Sequence, residues 1–203
     1  MGLFGFFRKN RHTDDNAIIS ENPSPEQTSF AESVLSIVEQ TIVKSGFKRD
    51  KAEIKTYSTT IVFRKSKRYV KISSTSYPTD YPYCFFIVLG EGDSNNFFEY
   101  DWNGVSIPAL AKIIDPLKNI KDYNFPIGDP AFDKTIKFGV ENANRDLLKY
   151  GASFLEGDLS IFYQARKEIN SMREPYKISV PDQNGVYKTT YEPISVRQKK
   201  KYS

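Results

Sequence analysis

The stretch "AEIKTYSTTIVFRKSKRYVKISST", residues 52–75, decides the fold. Its β-branched and aromatic residues alternate with polar ones at a period of two, which is typical of strands with one buried face. Polar interruptions divide it into three runs, and a fourth run, "YCFFIVL", follows at residues 83–89. Since parallel pairing would need long crossovers, these closely spaced runs predict consecutive antiparallel strands. "FFEYDW", residues 97–102, has the same period and predicts a fifth strand.

Helical signals lie on both sides of these strands. Ser24 is followed by a proline and, three residues after the serine, by Gln27, a pattern that marks a helix start, and Gly46 marks its end. Residues 106–114 predict a short helix, and a longer one at about 130–155 precedes a helix capped by Asp158. The sequence therefore predicts an α+β fold, in which an antiparallel four- to five-stranded meander packs against an N-terminal helix and a C-terminal helical hairpin.

The chain length of 203 residues favours one domain with tails. We expect a flexible tail with an aromatic and basic N-terminus at 1–23, a single α+β domain at 24–190, and a basic tail at 191–203. Within the domain, Asn184 and Gly185 lie between two strand-like runs and predict a type I′ hairpin turn. Residues 12–190 hold 22 basic and 24 acidic side chains, so the excess positive charge lies at the two ends.

The sequence lacks the residues that several kinds of catalytic, metal and phosphate-binding site require. His12 is the only histidine and falls in the predicted tail, so histidine-ligated zinc and the usual histidine-assisted nucleophiles are not expected. The single cysteine, Cys84, rules out an intramolecular disulfide, fits a reducing compartment and is predicted to be buried. Gly90 and Gly92 resemble the start of a phosphate loop, but Asn95 occupies the third glycine position and a strand follows. We predict no catalytic residues, no metal and no cofactor.

Two further functions stay open as alternatives. A carboxylate- and metal-dependent hydrolase would use the acidic group Asp80, Glu91, Asp93, Glu99 and Asp101, and the spacing of Glu53 and Lys55 occurs in metal-dependent nucleases. Residues 63–71, "FRKSKRYVK", interleave aromatics with cations as some nucleic-acid-binding strands do. The slightly acidic body argues against that second function, so no specific nucleic acid partner is expected.

The aromatic density between residues 77 and 102 exceeds what a core requires. Many of these side chains adjoin turn residues, and tyrosine and tryptophan beside acids suit a protein-binding surface. The predicted partner-binding residues are Tyr77, Asp80, Tyr81, Asp93, Glu99, Tyr100, Asp101 and Trp102.

The N-terminus offers an alternative function, that of a peripheral membrane-surface protein. Its apolar side chains could enter the interface while its cations meet anionic headgroups, and the basic C-terminal tail could add weak contact. The residues that would make the contact are Leu3, Phe4, Phe6, Phe7, Arg8 and Lys9. No run approaches the roughly 20 apolar residues that span a bilayer, and the order of the first residues does not fit a secretory signal, so we expect a cytoplasmic protein.

The capped helix, the meander followed by "GEGDSNNFFEYDWNGV", and the later "LLKYGASFLEGDLSIFYQAR" together resemble small uncharacterised bacterial α+β proteins, including some from toxin–immunity loci. The similarity covers most of residues 25–175. It implies a protein partner, a toxin, that the chain neutralises by direct binding. The predicted function is thus a non-catalytic protein-binding module of immunity type.

Overall fold

The structure, a computed structural model, describes residues 18–20, 22–92, 103–118, 123–172 and 176–192. They form an α+β fold in which helices pack on an antiparallel sheet, as predicted. The strands are β1 (Ile19–Ser20), β2 (Lys48–Lys55), β3 (Ser58–Lys65), β4 (Arg68–Thr75), β5 (Cys84–Glu91), β6 (Gly104–Ser106), β7 (Tyr123–Asn124), β8 (Tyr176–Pro181) and β9 (Tyr187–Glu192). The helices are α1 (Pro25–Ser33), α2 (Glu39–Lys44), α3 (Ile107–Ile114), α4 (Phe132–Tyr150), α5 (Ala152–Glu156) and α6 (Ser160–Ser171).

Strands β2 to β5 form the predicted meander, each antiparallel to the next. Ile61 in the middle of β3 stands opposite Ala52 of β2 and Ile72 of β4, which fixes the register of the central hairpins. β6 and β7 both pair with β5, and β1 adds a short parallel edge to β2. The predicted fifth strand, residues 97–102, lies outside the described residues.

One face of the sheet carries the core. Alternate strand residues such as Ile61, Phe63, Ile72 and Ile87 are fully buried there, together with side chains from all six helices. The intervening residues point to the other face, where Val62 and Tyr69 form a small buried cluster of their own. The described helices therefore cover one face of the sheet.

The N-terminal helix begins as the sequence predicts. The hydroxyl of Ser24 accepts a hydrogen bond from the Gln27 amide, and the Gln27 side chain accepts one from the Ser24 amide, which completes a capping box. A π-helical turn, Val34–Val38, connects α1 to α2. Gly46 follows with a φ of +83°, a left-handed conformation that glycine adopts without a steric penalty, and it ends the helix.

The C-terminal helices are more subdivided than the sequence suggests. The segment predicted as one helix at 130–155 is two, α4 and α5, separated at Gly151. The Asp158 carboxylate accepts a hydrogen bond from the Ser160 amide at 2.9 Å, close to its predicted capping role. α4 packs mainly against α1, and α6 packs mainly against α3.

Ile19–Ser20 pairs with β2 and β9 continues to Glu192, so short strands extend into both predicted tails. The predicted type I′ turn is wrong: β8 and β9 are joined by residues 182–186, in which only Gly185 has a positive φ. Cys84 is half-buried, because it lies at the start of β5 where the alternation turns it away from the core.

Within the described part of the chain, no helix combines the length and the apolar character needed to cross a membrane.

Candidate functional site: a tyrosine surface at one end of the sheet

Two connections meet at the end of the sheet where β2 ends and β5 begins. The β2–β3 turn contains Tyr57, and the β4–β5 connection runs from Ser76 to Tyr83. The Ser76 amide donates a hydrogen bond to the Tyr57 carbonyl at 2.8 Å, which holds the two connections together. The antiparallel register explains this contact, because Ser58 stands opposite Thr75 in the neighbouring strand.

Four tyrosines at this end define what we call the tyrosine surface: Tyr57, Tyr77, Tyr81 and Tyr83. The rings of Tyr57 and Tyr77 contact each other across the two connections, with centroids 5.2 Å apart and planes tilted by 43°. The rings of Tyr81 and Tyr83 meet edge to face at 5.6 Å. Both spacings lie in the range in which aromatic pairs attract beyond simple burial.

The tyrosine surface is exposed but anchored. Tyr57, Tyr77 and Tyr81 are 45%, 50% and 78% exposed, whereas Tyr83 is half-buried against the core. The Phe125 amide donates to the Tyr83 carbonyl at 2.9 Å and fixes the base of the surface. Exposed rings on a fixed backbone can be buried by a partner at a small entropic cost.

Asp80 stabilises the β4–β5 connection from within. Its carboxylate accepts hydrogen bonds from the hydroxyls of Thr75, at 3.1 Å, and Thr79, at 3.3 Å. Its amide donates to the Tyr77 carbonyl at 2.9 Å and closes the single 3₁₀ turn Pro78–Asp80. The predicted partner-binding role of Asp80 is therefore accompanied by a role in shaping the loop that carries Tyr77 and Tyr81.

A charged group lies on β2, the strand that leads into the turn with Tyr57. The Glu53 carboxylate contacts the Lys51 ammonium at 2.8 Å and the Lys55 ammonium at 3.5 Å. The hydrogen bond from Lys51 holds the pKa of Glu53 below its usual value, with a further contribution from the positive charge of Lys55. Glu53, the acid of the nuclease-like spacing, thus pairs with Lys55, the lysine of that spacing, and also with Lys51.

The structure brings together three of the predicted partner-binding residues, Tyr77, Asp80 and Tyr81, all of which are exposed. The other predicted partner-binding residues fall outside the described part of the chain: Asp93, Glu99, Tyr100, Asp101 and Trp102. The same holds for the predicted membrane-contact residues: Leu3, Phe4, Phe6, Phe7, Arg8 and Lys9.

Tyr57 is absent from the predicted partner-binding residues, because in the sequence it ends the strand-like run "AEIKTY", residues 52–57. In the structure β2 ends at Lys55 and β3 begins at Ser58, so Thr56 and Tyr57 form the turn between these two strands. Register then places that turn beside the β4–β5 connection.

The fold bears on two of the alternative sites, the segment 63–71 and the acidic group. In the segment 63–71, Phe63 and Tyr69 are buried, so neither ring is available to stack on a base. From the acidic group, Glu91 accepts hydrogen bonds from the Tyr163 hydroxyl at 3.0 Å and from Arg166 at 3.3 Å, which ties β5 to α6. In the described ranges, no three histidine, cysteine or acidic side chains lie close enough together to hold a metal ion.

The tyrosine surface presents ring faces and phenol hydroxyls on a fixed backbone, which is suited to binding by burial and hydrogen bonding. Comparison of the chain with protein-family models, curated proteins and solved structures finds no match.

Proposed function

We propose that the chain is a bacterial, cytoplasmic, non-catalytic protein-binding module that contacts its partner through the tyrosine surface. The observation that supports this most directly is the pairing of two exposed rings, Tyr57 and Tyr77, from separate connections that a backbone hydrogen bond holds together. Tyr81, the most exposed of the four tyrosines, lies in the same β4–β5 connection as Tyr77.

Physical reasons favour a protein as the partner. Tyrosine supplies a large, rigid contact area and a hydroxyl at its edge, and it is enriched among residues that dominate binding energy. Lys51, Glu53 and Lys55, on the strand that leads to Tyr57, would supply charged groups for a polar rim, which is the usual surrounding of such a contact. The finer form of the proposal is that the partner is a toxin and that binding neutralises it.

The experiment is an affinity purification of the full chain from its native cells, with partners identified by mass spectrometry and then purified for calorimetry. We expect the double variant Tyr77→Ala and Tyr81→Ala to weaken binding about a hundredfold or more, since two central aromatic contacts are lost. Phe138→Ala is the matched control, because it removes an exposed ring on helix α4. The control should bind as the wild type does.

The proposal fails if no stoichiometric protein partner is recovered, or if the double variant and the control bind equally well. The immunity form has a separate test, in which the purified partner is expressed alone and together with the chain. A toxic partner whose effect is suppressed by the wild type, but not by the double variant, would support neutralisation. A harmless partner would reject the immunity form and leave the binding module standing.

A further inference from the structure

The β8–β9 hairpin, which we call the ribbon, stands apart from the main sheet. Its two strands pair with each other and form a sheet of their own. Ser179 and residues 181–189 are all exposed, including Tyr187 at 70%. A lone two-stranded hairpin is only marginally stable in water, so the ribbon would gain from a further strand on one of its edges.

The hydrogen-bond pattern shows which peptide groups point outward. The Asp182 amide donates to the Val186 carbonyl at 2.8 Å, so this pair is bonded inside the ribbon. Bonded and non-bonded pairs alternate along an antiparallel ladder, which makes Val180 and Lys188 the next bonded pair. The pair between them, Pro181 and Tyr187, directs its peptide groups outward.

The two outer edges are not equivalent. On β8, the outward positions include Pro181, which has no N–H to donate. On β9, the outward positions are Tyr187, Thr189 and Tyr191, and each has both a donor and an acceptor. The β9 edge is therefore the one equipped to accept another strand.

We propose that β9 pairs antiparallel with β9 of a second copy of this chain, about a two-fold axis at Thr190. In this register Thr189 of one copy stands opposite Tyr191 of the other, and the outward groups of both can bond. Lys188 of each copy is then aligned with Glu192 of the other in the strand register, so the sequence supplies residues of opposite charge at two facing positions of the new ladder.

Neighbouring registers lack this charge complementarity. With the axis at Thr189, Lys188 would stand opposite Thr190, and with the axis at Lys188 the two lysines would face each other. Moving the axis by half a residue would pair outward groups with inward ones and break the ladder. The preferred arrangement joins two ribbons into one four-stranded sheet with a self-complementary contact.

The first test compares two proline variants of the full chain by sedimentation velocity over a concentration series. Thr189→Pro removes an outward N–H from the β9 edge, whereas Ser179→Pro, at the cross-strand partner position, removes one from the β8 edge. The wild type and Ser179→Pro should show concentration-dependent dimers, and Thr189→Pro should remain a monomer. The reverse pattern, or a wild type that stays monomeric throughout, overturns the proposal.

The second test addresses the register without changing the backbone. Lys188→Glu and Glu192→Lys, made singly, place like charges opposite each other and should each weaken dimerisation about tenfold. The double exchange restores opposite charges and should recover the wild-type dissociation constant. If each single change has no effect, or if the double variant is as weak as the singles, the Thr190 axis is wrong.

Discussion

The ring of Tyr69 occupies the space where a side chain on Gly90 would begin. The two residues are cross-strand neighbours in β4 and β5, and a Cβ built on Gly90 would lie 1.9 Å from Cζ of the ring. Tyr69 is buried, and the Arg64 guanidinium lies over its ring at 5.5 Å from the centroid. Gly90, which in the sequence resembles the start of a phosphate loop, is thus required for the packing of the Tyr69 ring.

Replacing this glycine should destabilise the protein. Gly90→Ala forces the ring or the strand to move, and we expect the free energy of unfolding to fall by about 1–3 kcal/mol, as for other overpacked cores. Chemical denaturation measures it. Gly139→Ala is the control, because the nearest side-chain atom, Cε1 of Phe85, is 3.4 Å from the added Cβ and alanine favours the helix. A Gly90→Ala variant as stable as the wild type would contradict the packing role.

Gln27 joins the N-terminal helix to the sheet. Its side-chain nitrogen donates to the Lys55 carbonyl at 2.8 Å, while its oxygen accepts from the Ser24 amide at 3.0 Å. Because Gln27 is buried, Gln27→Ala leaves both backbone groups without this partner, and we expect a loss of about 1–3 kcal/mol in the free energy of unfolding.

Two further variants calibrate that loss. Ser24→Ala removes only the cap and should cost about 1 kcal/mol. The exposed Gln40 in α2 offers a substitution of the same type, and Gln40→Ala should change the free energy by less than about 0.5 kcal/mol. If the two glutamine variants unfold at the same denaturant concentration, the link through Gln27 contributes nothing measurable.

The strands of the meander were predictable because each one is eight residues long and because β-branched and aromatic residues are frequent in this part of the chain. The two-residue strands β1 and β7 and the three-residue β6 carry no such signal. They pair because the chain is already held next to β2 or β5. The division of the long helix at Gly151 was missed because the apolar positions continue on both sides of it.

The candidate site was predictable only where it lies within one loop. Tyr77, Asp80 and Tyr81 are close in sequence, whereas the contact of Tyr57 with Tyr77 depends on the register of three strands. Likewise, nothing local to Gly90 indicates the ring of Tyr69, which is 21 positions earlier in the chain. Contacts between residues far apart in the chain follow from how the strands pair. The structural preferences of single residues do not reveal that pairing.

Arg68, the first residue of β4, binds the carbonyl groups at the C-terminal end of α5. Its guanidinium donates to the carbonyls of Phe154 and Leu155 and lies over the rings of Phe47 and Phe154. Lysine keeps the charge but lacks the planar donor group, so Arg68→Lys should lower the free energy of unfolding by about 1 kcal/mol, and Arg68→Met by about 1.5–3 kcal/mol. Arg145→Lys, on the exposed side of α4, is the control and should have little effect. Equal stabilities for all three variants in urea would refute this role.

Tyr123 makes stability sensitive to alkaline pH. Its hydroxyl donates to the Asp146 carboxylate at 3.0 Å, and burial, followed by the negative charge of Asp146, raises the pKa of Tyr123 far above its usual value. In the unfolded chain a tyrosine ionises near pH 10. The stabilisation from the protonated phenol is therefore complete below about pH 10 and is lost as the pH rises above it.

Tyr123→Phe separates the hydrogen bond from this pH dependence. At neutral pH the variant should be less stable by about 1 kcal/mol, because the bond to Asp146 is lost. Above about pH 10 the wild type loses stability through Tyr123 and the variant does not, so the difference between them should shrink or change sign. Urea unfolding of both proteins at a series of pH values measures this difference. A difference that stays constant well beyond pH 10 would show that Tyr123 does not carry the alkaline response.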